Sequence, residues 1–249
     1  MSRARVLLVD DDASIRRFVA LALEDLEIDL VEAENVPQAR ERLAEGRCEL
    51  VITDLMMPGE TGLDLLQQLA ERPELRAGAR LAVFSAGLNA AMQARLAGLD
   101  VWRQLSKPIS LVELEECVRE AVGAAAATPA TATEAAANEA SAADDGLDAA
   151  EQATVARHFA GDRSLFLAYR ASCVAQFAQD IRQGDDAMAR GDAPAVRRLA
   201  HSLKSVLLTL GQPGASAQAR QLEDAGARAD WELCRPLWQA LRTHLADQR

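Results

Sequence analysis

Over the first 122 residues, short uninterrupted aliphatic runs alternate with segments whose apolar residues recur at helical spacing, and few folds accept that pattern. Val6-Leu7-Leu8-Val9 reads as a buried strand. Ile15, Phe18, Val19, Ala22 and Leu26 then follow the period of a helix. Ile28 to Val31 predicts a second strand and Val36 to Leu43 a second helix. Leu50-Val51-Ile52 predicts a third strand, followed by a helix from Gly62 to Leu69. Leu81 to Phe84 supplies a fourth strand, with an Ala-rich helix running to Leu96. A weak fifth strand precedes Lys107-Pro108, and a helix from Leu111 to Val122 closes the series. Strands that are apolar throughout need cover on both faces, and the intervening helices provide it. The expected fold is α/β, a doubly wound five-stranded parallel sheet.

Residues 123–146 have a different composition, mostly Ala, Thr, Glu and Ser with one Pro and no large apolar residue. No core forms from such a stretch, so it reads as a linker. As a flexible coil it would span roughly 25–30 Å root-mean-square. Beyond it the apolar stripes are helical. Leu165, Tyr169, Cys173, Phe177 and Ile181 make one stripe, and Val196, Leu199, Leu203, Val206 and Leu210 another. Trp231, Leu237, Trp238, Leu241 and Leu245 make a third, with Pro236 expected to kink or restart the helix. The organisation expected is thus a sheet domain over 1–122, a linker over 123–146 and an all-α bundle over 147–249.

Bulk properties narrow the partners. The formal net charge of −11 argues against nucleic-acid binding, which needs a basic face. Cys48, Cys117, Cys173 and Cys234 lie far apart, with no ligand spacing, and read as reduced, buried thiols. No apolar run approaches the ~18–20 residues that span a bilayer. The N-terminus runs straight into a strand-like segment with no signal-peptide pattern, so a cytoplasmic location without membrane insertion is expected.

Ligands of doubly wound sheets bind at the carboxyl ends of the strands. Asp10, Asp11 and Asp12 end the first strand and Asp54 ends the third. In the usual strand order these are neighbours, so Asp10, Asp11 and Asp54 converge. Three carboxylates that close stay ionised only with a cation among them. A hard divalent ion, Mg²⁺ first, fits oxygen ligands and leaves room for a phosphoryl group. Ser85 at the end of the fourth strand and Lys107 after the fifth would reach the same crevice. A carboxylate nucleophile, a metal, an ammonium and a hydroxyl are what phosphoryl transfer uses for positioning and charge neutralisation. Asp12 reads as the cap of the first helix.

Val6-Leu7-Leu8-Val9-Asp10-Asp11-Asp12, Thr53-Asp54-Leu55-Met56-Met57-Pro58-Gly59, Ser85-Ala86 and Lys107-Pro108 together resemble response-regulator receiver domains, over roughly residues 3–122. The resemblance implies a flavodoxin-like fold with Asp54 as the phosphorylated residue. It implies Asp11 and Asp54 as Mg²⁺ ligands beside the Met56 carbonyl, with Asp10 completing the acidic pair. Lys107 would contact the phosphoryl group, its bond to Pro108 cis, and Ser85 would be the switch hydroxyl. Gln104 stands where the family often has an aromatic residue, which leaves open whether Trp102 takes that role or none does.

On a helix through Val196–Leu210, His201 falls opposite the Leu199, Leu203, Val206, Leu210 stripe. It is therefore expected to be solvent-exposed and largely neutral near pH 7, a competent nucleophile toward an acyl phosphate. Lys204, one turn on, would offset phosphoryl charge, with Arg197 and Arg198 adding positive potential. His158 and His244 read as ordinary surface histidines. Ala200-His201-Ser202-Leu203-Lys204-Ser205, followed by Gly211 and preceded by Gly191-Asp192, resembles histidine phosphotransfer (Hpt) domains over roughly residues 147–249. Family members usually have Gly where Ser205 stands. Leu208, on the same face, is expected to be a docking contact.

The two resemblances imply a phosphorelay protein. Asp54 would accept a phosphoryl group from a separate sensor histidine kinase, and His201 would exchange it with a receiver aspartate in this chain or in another receiver or Hpt protein. No Gly-rich nucleotide loop is present, so the chain is not expected to be a kinase or a conventional enzyme. One alternative is a phosphorylation-switched binding module with an idle histidine. A more distant one is a haloacid-dehalogenase-type phosphatase, suggested by Asp10-x-Asp12-x-Ser14 but lacking the later acidic pair.

Overall fold

The computed structural model describes residues 3–86, 90–123 and 147–248. The linker expected at 123–146 lies, beyond Gly123, outside the described residues.

The first half runs β1 (Ala4–Val9), α1 (Ala13–Ala22), β2 (Ile28–Ala33), α2 (Val36–Glu45), β3 (Leu50–Thr53), α3 (Gly62–Glu71), α4 (Pro73–Arg76), β4 (Arg80–Ser85), α5 (Ala90–Leu96), β5 (Arg103–Ser106) and α6 (Leu111–Ala121). All strand pairs are parallel, in the order β2-β1-β3-β4-β5. The direction of winding reverses between β1 and β3, which opens a crevice at their carboxyl ends. Alternation puts Val6, Leu8, Leu50 and Ile52 on one face against α1 and α6. Leu7, Val9, Val51 and Val83 face α2 and α3 on the other. In this half, among the described residues, only α4, a four-residue helix opened by Pro73, is absent from the sequence-based expectation.

The second half is helical: α7 (Ala149–His158), α8 (Arg163–Arg190), α9 (Ala193–Thr209), α10 (Pro213–Ala227) and α11 (Trp231–Asp247). Helices α8 to α11 pack as a closed ring of neighbours, a four-helix bundle. Asp192 caps α9 by accepting from the Ala195 amide at 3.0 Å. Pro236 does not restart α11, contrary to expectation; the helix is continuous from Trp231 to Asp247. Pro236 itself is exposed. The buried stripe of Cys234, Trp238, Leu241 and Leu245, with the Trp238 indole donating to Asp185 at 2.9 Å, holds the helix through the lost bond.

The bundle sits on the crevice end of the sheet domain. Phe18 of α1 meets Phe159 and Tyr169 edge-on, with ring centroids 5.6 and 5.4 Å apart. One apolar cluster therefore runs through both halves.

Candidate functional site

The strand ends deliver the acidic residues as the alternation foretells. The Asp54 amide donates to Val9 O at 2.8 Å, extending the β1–β3 ladder and placing Asp54 beside Asp10. Behind Asp54 the chain turns through Gly59, whose φ of 74° suits glycine. At Gly62 a Cβ would stand 1.8 Å from the Asp54 carbonyl oxygen, so only glycine lets α3 begin there. Thr61 and Asp64 close a reciprocal capping box at that helix end. Asp12 caps α1, its Oδ1 accepting from Ser14 N at 2.8 Å.

One oxygen from each of Asp10, Asp11 and Asp54 lies within 4.8 Å of the others. Lys107 Nζ donates to Asp10 Oδ2 at 2.5 Å and to Asp54 Oδ2 at 2.9 Å. Asp54 Oδ1 accepts from the Leu55 and Met56 amides at 2.5 and 3.2 Å. Burial pushes the Asp10 carboxyl up to about 8 against the pull of Lys107, with Asp54 and Asp12 adding repulsion. Burial and the Asp54 charge raise Asp11 to about 6. Burial also works against ionisation of Asp54, but the ammonium and hydrogen bond of Lys107 hold its carboxyl below the usual range. Lys107 is itself held well above the usual lysine range: burial opposes its charge, but Asp10 and Asp54 more than offset it. Two carboxyls whose ionisation is disfavoured beside an ionised third are a set that a hard dication would relieve. The donor chemistry therefore fits Mg²⁺.

Ser85 ends β4, buried, and the Lys107 amide donates to its carbonyl at 2.9 Å. The Lys107–Pro108 bond is cis. Trp102 stands at the opposite end of β5 from Lys107, between the guanidiniums of Arg80 and Arg103, each 4.8 Å from the ring centroid. Gln104 is exposed. Neither supplies an aromatic group at the crevice.

The histidine corrects the sequence reading. His201 is 7% exposed, not solvent-facing, because its face of α9 is seated on the sheet domain. Seen along α9 alone it lies opposite the core stripe as expected; the first half of the chain supplies the cover. Between the halves lies a cavity of about 10 Å³, lined by Asp11, Asp54, Met56, Lys107, Arg198, His201, Ser202 and Ser205. That is room for a single water-sized group. His201 Nε2 and Ser205 Oγ, both buried, have no hydrogen-bond partner among the described residues. Ser202 donates to Asp12 across the interface.

Lys204 also departs from expectation. It does not line the cavity but donates to Glu223 Oε2 of α10 at 2.6 Å. The other Glu223 oxygen is 2.7 Å from His201 Nδ1. Burial raises the Glu223 carboxyl, but the bonds from His201 and Lys204 override it and bring it to about 2. An ionised carboxylate only accepts, so Nδ1 donates to it, and in that tautomer of the neutral ring the lone pair is on Nε2. Arg198 takes the cavity position foreseen for Lys204. Leu208, expected to dock, is 37% exposed, and Ser205 and Thr209 occupy the contact with Ile15, Phe18 and Pro108 instead. His158 is half-buried rather than a free surface residue and meets the Ile109 backbone. Glu223 was invisible to motif reading, because 22 residues and a helix turn-around separate it from His201.

A carboxylate, an ammonium and a candidate cation site face an imidazole across a cavity for one small group, the set of groups that phosphoryl transfer uses. Residues 6–119 match the response regulator receiver domain and residues 166–249 the Hpt domain. A receiver domain followed by an Hpt domain is a two-component phosphorelay architecture. It is 36% identical to response regulator protein PilR of Pseudomonas aeruginosa over 122 residues, 49% of this chain and 27% of that protein. It is 35% identical to DNA-binding transcriptional regulator NtrC of Azospirillum brasilense over 136 residues, 53% of this chain and 27% of that protein. A crystal structure of a response regulator receiver protein from Pseudomonas putida is 35% identical, with a TM-score of 0.45, covering 48% of this chain and 98% of that one. The chain thus spans about a quarter of the length of those two curated relatives. Among the described residues, no helix is long and apolar enough to cross a membrane.

Proposed function

We propose that Asp54 accepts a phosphoryl group from the phosphohistidine of a separate sensor kinase and that His201 of the same chain receives it from Asp54. The observation that carries this reading is the shared cavity. The unpartnered His201 Nε2 and the Asp54 carboxylate line one small space, with Lys107 and Arg198 beside it.

In the first transfer an Asp54 oxygen forms the bond to phosphorus as the donor's nitrogen–phosphorus bond breaks. Asp10, Asp11, Asp54 and the Met56 carbonyl would hold Mg²⁺, which when bound neutralises charge on the phosphoryl oxygens. Lys107 already contacts the Asp54 carboxylate and pairs with the phosphoryl charge as it arrives. In the second transfer the Nε2 lone pair bonds to phosphorus, and the Asp54 oxygen–phosphorus bond breaks to restore the carboxylate. The imidazole, still protonated at Nδ1, becomes cationic, and the Glu223 carboxylate 2.7 Å away stabilises that charge. Arg198 and Ser205 face the transferred group. Ser85 is the hydroxyl at the end of β4 that reports phosphorylation to the sheet.

The test is a radiolabelled phosphohistidine donor with Mg²⁺, applied to the native chain, Asp54→Ala and His201→Ala. Native protein should carry acid-labile label at His201, and His201→Ala base-labile label at Asp54. Asp54→Ala should carry none. Label confined to Asp54 in the native chain with every donor refutes the relay and leaves a switched binding module.

A further inference from the structure

Both acceptors are shut inside the same interface. Asp54 is 4% exposed, His201 7%, and the Lys107 side chain 4%. Phosphoryl transfer is in-line, so any donor imidazole must face Asp54 across the cavity that the His201 ring now lines. An external donor presents its imidazole on a protein surface, and a helix is ~10 Å across. A 10 Å³ cavity walled by α9 admits neither that helix nor a second imidazole. The same wall covers His201 from any other receiver.

We infer that the docked chain is self-inhibiting: Asp54 and His201 exchange phosphoryl groups with each other while closed, and with other proteins only after the bundle lifts off the receiver.

The interface is built to hold and to release. Its apolar side sets Phe18 and Ile15 of α1 against Phe159, Tyr169 and Thr209 of the bundle. Each edge-on ring pair contributes ~0.5–1.5 kcal/mol beyond area burial. The other side is a cleft of about 560 Å³ that reaches the crevice, lined by Asp11, Asp12, Asp180, Asp186, Arg190 and Arg198 among others. Asp12 and Asp180 approach from opposite halves, and burial together with Asp12 raises the Asp180 carboxyl to about 7. An apolar clamp beside a cleft of facing carboxylates closes without locking. The inference rests on Asp54 and His201 being the acceptors.

A disulfide tests it. Ser14 of α1 and Cys173 of α8 meet across the interface, and Cys173 is a native free thiol. In Ser14→Cys, oxidation should join residues 14 and 173 within one chain, giving a monomer band on a non-reducing gel. Labelled phosphoramidate with Mg²⁺ supplies the phosphoryl group. The reduced variant should take label at Asp54 or His201, and the oxidised one at least tenfold more slowly, with reductant restoring the rate. Phe18→Asp, which places a charge against Phe159 and Tyr169, should be labelled faster than native. Equal rates for oxidised and reduced chains overturn the inference, as do an absent disulfide or one that links two chains. If Phe18→Asp, reduced and open, takes no label, the acceptor reading itself fails and the inference falls with it.

Discussion

Removing the Glu223 carboxylate should uncouple the two acceptors while leaving the first one intact. Glu223 makes charge-assisted bonds to His201 Nδ1 at 2.7 Å and to Lys204 Nζ at 2.6 Å, with its side chain 14% exposed. When a phosphoryl group joins Nε2 the ring becomes cationic, so the Nδ1 bond strengthens in the product. A hydrogen bond to a charged group contributes ~1.5–3 kcal/mol and a neutral one ~1 kcal/mol. Glu223→Gln keeps an acceptor for Nδ1 and loses the charge, so it should cost about 0.5–2 kcal/mol in the product state, roughly 2–30-fold in the Asp54-to-His201 equilibrium. Glu223→Ala also strands Lys204 and should cost more. The assay is single-turnover transfer from pre-formed phospho-Asp54, followed by the loss of base-labile and gain of acid-labile label. Asp54 phosphorylation in His201→Ala should be unchanged by either substitution. Transfer in Glu223→Ala with native rate and equilibrium refutes the assignment. The pH dependence gives an independent check. The Glu223 carboxyl is depressed from 4.5 to about 2, so its stabilising contribution is complete above pH 4.5 and is lost as pH falls toward 2. Native protein should therefore lose more stability than Glu223→Gln across that acid range, measured by helical circular dichroism in denaturant titrations.

Gly62→Ala should destabilise the receiver half by ~1–3 kcal/mol or more and displace Asp54, since the new Cβ falls 1.8 Å from its carbonyl oxygen; an unchanged denaturation midpoint counts against that packing. Chelation of Mg²⁺ should abolish labelling of Asp54 by phosphoramidate, and Asp11→Asn should do the same at saturating Mg²⁺; labelling that survives either removes the cation from the acidic site. Asp185→Ala deprives the Trp238 indole of its partner at 2.9 Å and Arg242 of its carboxylate, and should cost the bundle ~1–3 kcal/mol with no effect on transfer rate when corrected for folded fraction.

The receiver half was legible in the sequence because its signals are local. A continuous apolar run such as Val6–Val9 reports a strand covered on both faces, and an acid after it reports a carboxyl end. Parallel winding then brings Asp10, Asp11, Asp54 and Lys107 together with little freedom. Helices α8, α9 and α11 were legible by period, and Asp192 by its place before α9. Pro236 misled because packing of Trp238 and Leu241 outweighs one lost backbone bond.

What the sequence alone determined is the five strands, most of the helices and the acidic crevice, each resting on residues near in the chain or joined by one topology rule. Only the tertiary structure decided what His201 faces. A helix period distinguishes core from surface within one bundle, and it carries no information about a second domain that covers the surface. Burial of His201, the exposure of Leu208 and the pairing of Glu223 with His201 and Lys204 all depend on contacts between distant segments. Those contacts turn two separate candidate acceptors into one closed site.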